Sequence, residues 1–486
     1  FQLLTIPVSP LLHPPSAPMS DERYNDRVIS GRTWAALAVA KQAAFWSRRL
    51  HRGGGEALPG LIAERLSPRI LTELTETLPQ GTVIVTGTNG KTTTSLAMDL
   101  VLSAQGLRVL RNRGGSNLTR GLVSALVQSS SLVNPRPRED IALFEVDEAT
   151  MPQATAQVSP RLILVTNVFQ DQLDRFGDIN TTASLIRRGI EQAPEAALVL
   201  NADDPVVAAL GRDRARVIYY GLDDTSLHAR TEPSIDTIGC PLCHSPLHFE
   251  RRYFSHLGHF RCDRCGFTRP RPRITARNVR LGSAEISASV MAGDRILPLV
   301  SGLSGLYNLY NLLAAVAATE VLDVNPKSAL DTLTTMEPPF GRLERFVLHG
   351  RTGIMHLVKN PTGFNQVIDN VSAWDAGPAA LLCLNDNPAD GTDVSWIWDV
   401  DFAPLAVSFH ILIVSGTRAA ELALRLKYAG MPMERVIVEP DLLTALDSAV
   451  RLVEESAVLN ILTTYTAMLE LRAGLVRRGV LQEYWR

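Results

Sequence analysis

The sequence lacks any apolar run approaching the ~20 residues of a membrane-spanning helix. The longest candidate, 34–46, is broken by Lys41 and Gln42 and runs into Arg48, Arg49, His51 and Arg52. It reads as an N-terminal helix docked on the protein, with a helix lying at a membrane surface as the alternative. An excess of either charge is also missing. Lys and Arg number 48 against 50 Asp and Glu, a net of −2. That removes the basic footprint expected of a nucleic-acid partner. Residues 1–18 are proline-rich without a basic stretch, so they do not read as a signal peptide. Met19 is the expected start, residues 1–30 a disordered extension, and the cytoplasm the expected compartment. Cysteine is scarce: four of the five fall between 240 and 265, and the fifth is Cys383.

Length sets the next bound. A chain of 486 residues exceeds one hydrophobic core and implies two or three domains. The expected division is a first domain over 31–340, with an insert at 237–270, and a C-terminal domain over 341–486.

The most informative segment is Thr86-Gly87-Thr88-Asn89-Gly90-Lys91-Thr92-Thr93-Thr94. An apolar run, 82–85, precedes it and a helix-like run, 95–102, follows. Strand, glycine loop and helix make a cradle of backbone N–H groups for phosphates. Lys91 would reach the terminal phosphates and the Thr92 hydroxyl would ligate Mg²⁺. Gly87, Thr88, Asn89, Gly90, Lys91, Thr92 and Thr93 are therefore the expected nucleotide contacts. A generic phosphate loop has glycine where this chain has Val85.

Strand-like runs recur at 107–110, 141–146, 162–167, 197–201 and 217–220, with helix-like stretches between them. This alternation predicts an α/β fold with a parallel sheet, whose ligands bind beyond the carboxyl ends of the strands. Glu145 ends one such strand and is placed to hold Mg²⁺ with Thr92, with Glu148 as the alternative. Further on, 274–300 is strand-like and 306–321 is a long apolar helix. Residues 337–341 read as a linker. A second alternating unit follows, with strands near 379–384, 410–414, 435–438 and 458–462.

Cys240-x-x-Cys243 and Cys262-x-x-Cys265 enclose an eighteen-residue spacer. Two such knuckles read as a structural zinc site, a ribbon whose four thiolates leave no open position for catalysis. Two disulfides are the rival reading, disfavoured in a reducing compartment. His244, His248, His256 and His259 keep a mixed ligand set open. Arg251, Arg252, Arg261, Arg264, Arg269, Arg271 and Arg273 surround the ribbon. They read as a solvated charged face, with nucleic acid or an anionic membrane-borne substrate as alternatives.

The short loop Thr-Gly-Thr-Asn-Gly-Lys-Thr resembles that of the Mur ligases and folylpolyglutamate synthases, which use ATP to activate a carboxylate. The resemblance assigns Mg²⁺ binding to Glu145. Asn167 opens Asn167-Val168-Phe169-Gln170-Asp171-Gln172-Leu173-Asp174, similar to Asn-x-x-x-Asp-His-Leu-Asp except at Gln172. Several Mur ligases place a modified lysine soon after, and no lysine lies between Lys91 and Lys327. Gly305-Leu306-Tyr307-Asn308-Leu309-Tyr310-Asn311 matches Gly-x-His-Asn-x-x-Asn except at Tyr307, and it implies that Asn308 contacts the nucleotide base or orients the site. Gly341-Arg342-Leu343-Glu344 resembles the Gly-Arg-x-Glu of the nucleotide-facing C-terminal part, which brings in Arg342.

The C-terminal unit lacks the Asp-Tyr-Ala-His-x-Pro of amino-acid-adding Mur ligases and reads Lys359-Asn360-Pro361-Thr362-Gly363 instead. With the four-cysteine insert, 167–177 and 385–399, it resembles the MurT family, the Mur-ligase-like subunits of lipid II isoglutaminyl synthase. That resemblance implies ATP-dependent amidation of the D-glutamate α-carboxyl in the lipid II stem peptide, through an acyl phosphate. An amino-acid-adding or folylpolyglutamate-synthase-like ligase is the alternative. Cys383 sits in an apolar strand without a nucleophile's surroundings, so ammonia is expected from a separate glutaminase. The resemblance supplies a GatD-type amidotransferase subunit. It further implies that this chain donates an aspartate to orient the partner's histidine. The candidates are Asp390 and Asp393, with Asp386 a weaker third. A lipid II substrate places the protein in the cytoplasm or at the inner face of the membrane.

Overall fold

The computed structural model describes residues 29–49, 58–112, 117–170, 179–227, 239–282, 285–337, 342–374, 377–455 and 457–482. Residues 1–28 of the expected 1–30 extension and most of the linker at 337–341 lie outside them, while 29 and 30 are described and lead into the first helix. Helices α1 (Gly31–Arg49), α2 (Leu58–Leu66) and α3 (Ile70–Thr75) precede β1 (Thr82–Thr86). Then come α4 (Lys91–Ala104), β2 (Val109–Arg111), α5 (Thr119–Ser129), β3 (Ile141–Glu145), α6 (Met151–Gln157) and β4 (Leu162–Val165). The chain continues through α7 (Ile179–Glu191), β5 (Ala197–Asn201), α8 (Pro205–Leu210) and β6 (Val217–Leu222).

Two compact units emerge. One comprises residues up to Val83, Leu107–Phe144 and Gln157–Pro160; the other comprises Ile84–Gly106, Glu145–Ala156 and everything from Arg161. In the first unit α1 is docked. Thr33, Ala36, Leu37, Ala40 and Ala44 recur every three or four residues and are buried. They face α2 and α5. Helix α2 meets α5 at Gly60, where a Cβ would run into the Arg120 carbonyl.

In the second unit β1, β4, β5, β6 and β9 (Ile274–Leu281) are consecutive neighbours in one sheet. The pairings β4/β5, β5/β6 and β6/β9 are parallel. Their strands are apolar on both faces, as helix-covered parallel strands must be. The strand-like 274–300 run is an antiparallel meander of β9, β10 (Ile286–Ala292) and β11 (Arg295–Ser301). Helix α9 (Leu306–Val321) is buried from Asn308 to Thr319, and α10 (Pro326–Leu333) follows. An all-round apolar helix belongs inside. Here α9 packs on β4, β5, β6 and β9 and runs beside α4.

Between β6 and β9 the chain makes an antiparallel hairpin, β7 (His248–Phe254) and β8 (Leu257–Arg261). Beyond residue 341 lies a six-stranded sheet. It comprises β12 (Arg342–Leu348), β13 (Arg351–Leu357), β14 (Gly377–Cys383), β15 (Phe409–Ser415), β16 (Val436–Val438) and β17 (Val458–Thr463), ordered β12-β13-β17-β14-β15-β16. All neighbours are parallel except β12 and β13, a hairpin that the alternating pattern did not anticipate. Alternate residues of β14 serve the two faces. Ala380 and Leu382 join Phe364, Ile368 and Phe409 in one core, and Leu381 and Cys383 join Leu446, Ile461 and Leu471 in the other.

Candidate functional site: a glycine loop, a carboxylate and a cysteine ribbon

Strand β1 delivers the glycine loop to the carboxyl edge of its sheet. Gly87 has φ +120° and Gly90 φ +88°, backbone that L side chains rarely adopt. Space forbids a side chain as well: a Cβ at Gly87 would strike Thr166 Oγ1 and one at Gly90 would strike Asn311 Oδ1. Gly90 caps α4, so the first amides of that helix face the loop. Thr93 is buried in the first turn.

Asparagines hold the loop in shape. Asn167 Oδ1 accepts from the Asn89 amide at 2.9 Å and its Nδ2 donates to the Asn89 carbonyl at 3.0 Å. Thr166 Oγ1 donates to the same carbonyl at 2.8 Å. The Phe169 amide donates to Thr88 Oγ1 at 3.0 Å. From the C-terminal sheet's side, Asn360 Nδ2 donates to Asn89 Oδ1 at 3.1 Å and Lys359 Nζ to the Thr88 carbonyl at 3.2 Å. Thr166, Asn311, Lys359 and Asn360 were not among the expected contacts, because only long-range packing brings them here.

Lys91 Nζ donates to the Gly87 carbonyl at 2.5 Å and lies 3.5 Å from Glu148 and 3.8 Å from Asp147. Thr92 Oγ1 donates to Glu145 Oε2 at 2.9 Å, and Glu145 is buried. Cis oxygens of an octahedron with ~2.1 Å metal bonds lie about 3.0 Å apart. The pair therefore has the spacing of two neighbouring Mg²⁺ ligands. Asn308 Nδ2 donates to the Ser304 carbonyl at 2.7 Å and its Oδ1 accepts from Asn311. Asn89, Gly90, Asn167, Asn308 and Asn311 line one side of a pocket. His356 lines it too, hydrogen-bonded to Asn460 at 2.9 Å. Burial pushes the His356 pKa down to about 4, so the ring is neutral. The Arg342 side chain and residues 171–178, with Gln172, lie outside the described residues.

The four ribbon cysteines converge. Their Sγ atoms all lie within 4.8 Å of one another, with Cys240···Cys265 and Cys243···Cys262 at 3.5 Å. No disulfide joins them. A tetrahedral zinc with ~2.3 Å sulfur bonds has edges of about 3.8 Å, so this four-cysteine cluster is compatible with zinc. The knuckles are built alike. In each, the amide of the first cysteine bonds the carbonyl five residues on, at 2.7 Å, and the residue after the second cysteine has positive φ, His244 in one and Gly266 in the other. Of the surrounding arginines, Arg269 departs from the expected solvated face. Its Nε donates to buried Asp203 at 2.5 Å and its NH1 to Asp223 at 3.1 Å.

The three candidate aspartates differ in their surroundings. Asp390 is buried and accepts from the Thr466 amide and hydroxyl at 2.8 and 2.5 Å. Asp386 pairs with Arg418 at 2.7 Å and accepts from the Thr417 hydroxyl, bonds that lower its pKa. Asp393 is exposed, with its carboxylate on the Ser395 amide at 2.8 Å. Cys383 is buried in β14, and burial raises its pKa far above the ordinary thiol value. Such a thiol is no nucleophile.

Two family models match. The Mur ligase middle domain covers residues 85–238 and the MurT ligase C-terminal domain residues 357–468. A Staphylococcus aureus protein is 31% identical over 85% of this chain and 92% of its own length. A Streptococcus pneumoniae protein is 31% identical over 93% and 99%. Both are named "Lipid II isoglutaminyl synthase (glutamine-hydrolyzing) subunit MurT". The chain belongs to the MurT family. The fold likewise groups this MurT-family chain with Mur ligases. A pseudomurein peptide ligase type C from Methanothermus fervidus superposes with TM-score 0.64 at 21% identity, over 82% of this chain and 78% of the other.

Proposed function

We propose that this chain is the synthase subunit of a lipid II isoglutaminyl synthase. It converts the α-carboxyl of D-glutamate in the lipid II stem peptide to the amide of D-isoglutamine, at the expense of ATP. The observation that carries this reading is the Thr92–Glu145 pair beside the glycine loop, in a chain whose C-terminal unit matches MurT. A carboxylate is a poor electrophile. Transfer of the ATP γ-phosphoryl group to a carboxylate oxygen gives an acyl phosphate and ADP. Ammonia then attacks the carbonyl carbon and phosphate leaves. The loop amides and Lys91 counter the charge that develops on the phosphates, and Thr92 and Glu145 would hold Mg²⁺, which supplies further charge neutralisation. Asn308 and Asn311 lie where the rest of the nucleotide would reach. The four cysteines would hold a structural zinc.

The buried Cys383 supports delivery of ammonia by a separate glutaminase subunit of the GatD type. Of the three aspartates, Asp393 is the exposed one, and its accessibility favours it for orienting a partner's histidine. Asp390 is engaged with Thr466 and Asp386 with Arg418.

Among the described residues no helix is long and apolar enough to cross a membrane. The outer face of α1 nevertheless exposes Trp34, Val39, Phe45 and Trp46, and the helix carries no acidic residue. The sequence then continues through Arg48 and Arg49. Aromatic rings beside arginines suit an anionic bilayer surface. This supports a cytoplasmic protein working peripherally at the inner face of the membrane, where lipid II resides.

The deciding experiment is co-purification with a glutaminase subunit, followed by amidation of lipid II with ATP and glutamine. Ammonia should replace glutamine and free amino acids should not. Addition of an amino acid in place of amidation would sink the reading.

A further inference from the structure

The ribbon is joined to the loop site through its hairpin turn. The cysteines sit at one end of the β7–β8 hairpin and Ser255–His256 at the other. The hairpin lies on loops that follow the strands of the central sheet. The Gly258 amide donates to the Asp203 carbonyl at 2.9 Å, and the Tyr253 hydroxyl donates to the Leu222 carbonyl at 3.1 Å. Phe254 meets Tyr310 of α9 edge to face, with ring centroids 5.7 Å apart. His256, 1% exposed, lies 4.9 Å from the Phe169 ring and 3.5 Å from the Asp204 carboxylate.

Phe169 connects this turn to the glycine loop. Its amide bonds Thr88 Oγ1, and its ring packs against Phe254 at 6.0 Å. Phe254 and Leu257 in turn line the pocket that Asn89, Gly90 and Asn308 line from the loop side. One side of that pocket is amides at the N-terminus of a helix, suited to phosphates. The ribbon's side is aromatic and aliphatic, suited to the flat apolar face of a nucleobase.

We infer that the turn of the cysteine ribbon, through Phe254 and Leu257, is the base-side wall of the nucleotide pocket. The insert is then part of the ATP site and not an accessory to it. Phe254 is a positioning residue for the base. This rests on the ATP reading of the glycine loop given above.

The test separates base from phosphates. Binding of ATP and of inorganic tripolyphosphate is measured calorimetrically on the wild-type chain in complex with its glutaminase subunit, and on Phe254→Ala and Leu257→Ala. Each variant should weaken ATP by about tenfold, the scale of one aromatic or apolar contact to a base, and leave tripolyphosphate unchanged. Phe254→Leu keeps most of the volume without the ring, and it carries the same readout should Phe254→Ala unfold. Equal loss of both ligands would mean a general structural role and overturn the inference. Unchanged ATP binding would overturn it as well. A wild-type protein that binds neither ligand would remove the ATP reading itself, and the inference with it.

Discussion

The side-chain amides of Asn89 and Asn360 exchange two hydrogen bonds, at 3.1 and 3.4 Å, across 271 residues of chain. One amide belongs to the glycine loop and the other opens a helix of the C-terminal sheet. Asn360 Oδ1 also accepts from the Gly363 amide at 2.8 Å, which fixes its orientation. The pair therefore ties the C-terminal sheet to the glycine loop. Each bond contributes roughly 1 kcal/mol net. Asn360→Ala should raise KM for ATP about five- to thirtyfold with a smaller change in thermal midpoint. Steady-state kinetics with ATP varied, alongside a melting curve, checks this. An unchanged KM would remove the pair from the site.

Lys91 is half-buried against Gly87, Glu148 and Asp147. Without it, the charge developing on the transferred phosphoryl group loses its side-chain cation. Lys91→Ala should lower amidation by at least ~10²-fold. Glu145→Gln should instead show itself as a raised Mg²⁺ requirement, because it weakens one metal ligand and leaves the lysine in place. Titrating Mg²⁺ at saturating ATP distinguishes the two variants, and near-normal turnover of Lys91→Ala would refute the loop's assignment.

Much of this site was legible in the sequence for a simple reason. The loop, Thr92 and Glu145 are fixed by local geometry, since a strand end and a helix start put them where they are. The cysteine spacing was readable because each knuckle is a local turn. Asn311 and Asn360 were not readable as loop partners, since their roles come from packing over hundreds of residues. Arg269 misled as one arginine in a run. Its partner Asp203 lies 66 residues away, and nothing local marks that carboxylate as buried. The β12–β13 hairpin was missed because an antiparallel edge interrupts an otherwise parallel alternation.

Asp393 carries the clearest prediction about the partner. A carboxylate that orients a catalytic imidazole can be replaced by an amide without loss of shape but with loss of the correct tautomer. Asp393→Asn should lower glutaminase activity of the complex by about 10²-fold or more, while amidation from free ammonia persists. Asp386→Asn should act through its Arg418 pair and Asp390→Asn through Thr466, so both should show in stability first. Glutaminase activity retained by all three variants would end the shared-triad idea.

The ribbon should carry about one zinc per chain, measured by elemental analysis of the purified complex. Structural zinc sites supply apparent free energies of roughly 10–16 kcal/mol to their small domains. Cys262→Ser should therefore lose the metal and lower the melting temperature. Metal content unchanged in that variant would point to a different ligand set.

His356 gives the fold a calculable acid sensitivity. The ring is buried beside the pocket, and its pKa falls from 6.5 to about 4 through burial, with the Asn460 bond opposing the shift. Between these values the unfolded chain binds the proton and the folded chain does not, so stability falls as pH drops. The contribution is constant above pH 6.5, shrinks through the interval, and is fully lost near pH 4. A shift of this size corresponds to roughly 3 kcal/mol. Chemical denaturation of wild type and His356→Gln at pH 7.5 and pH 5 isolates it. The difference in stability between the two pH values should be smaller in the variant, because the glutamine cannot take up the proton and keeps a partner for Asn460. An equal pH difference in both proteins would mean that the ring is solvated or already charged in the fold.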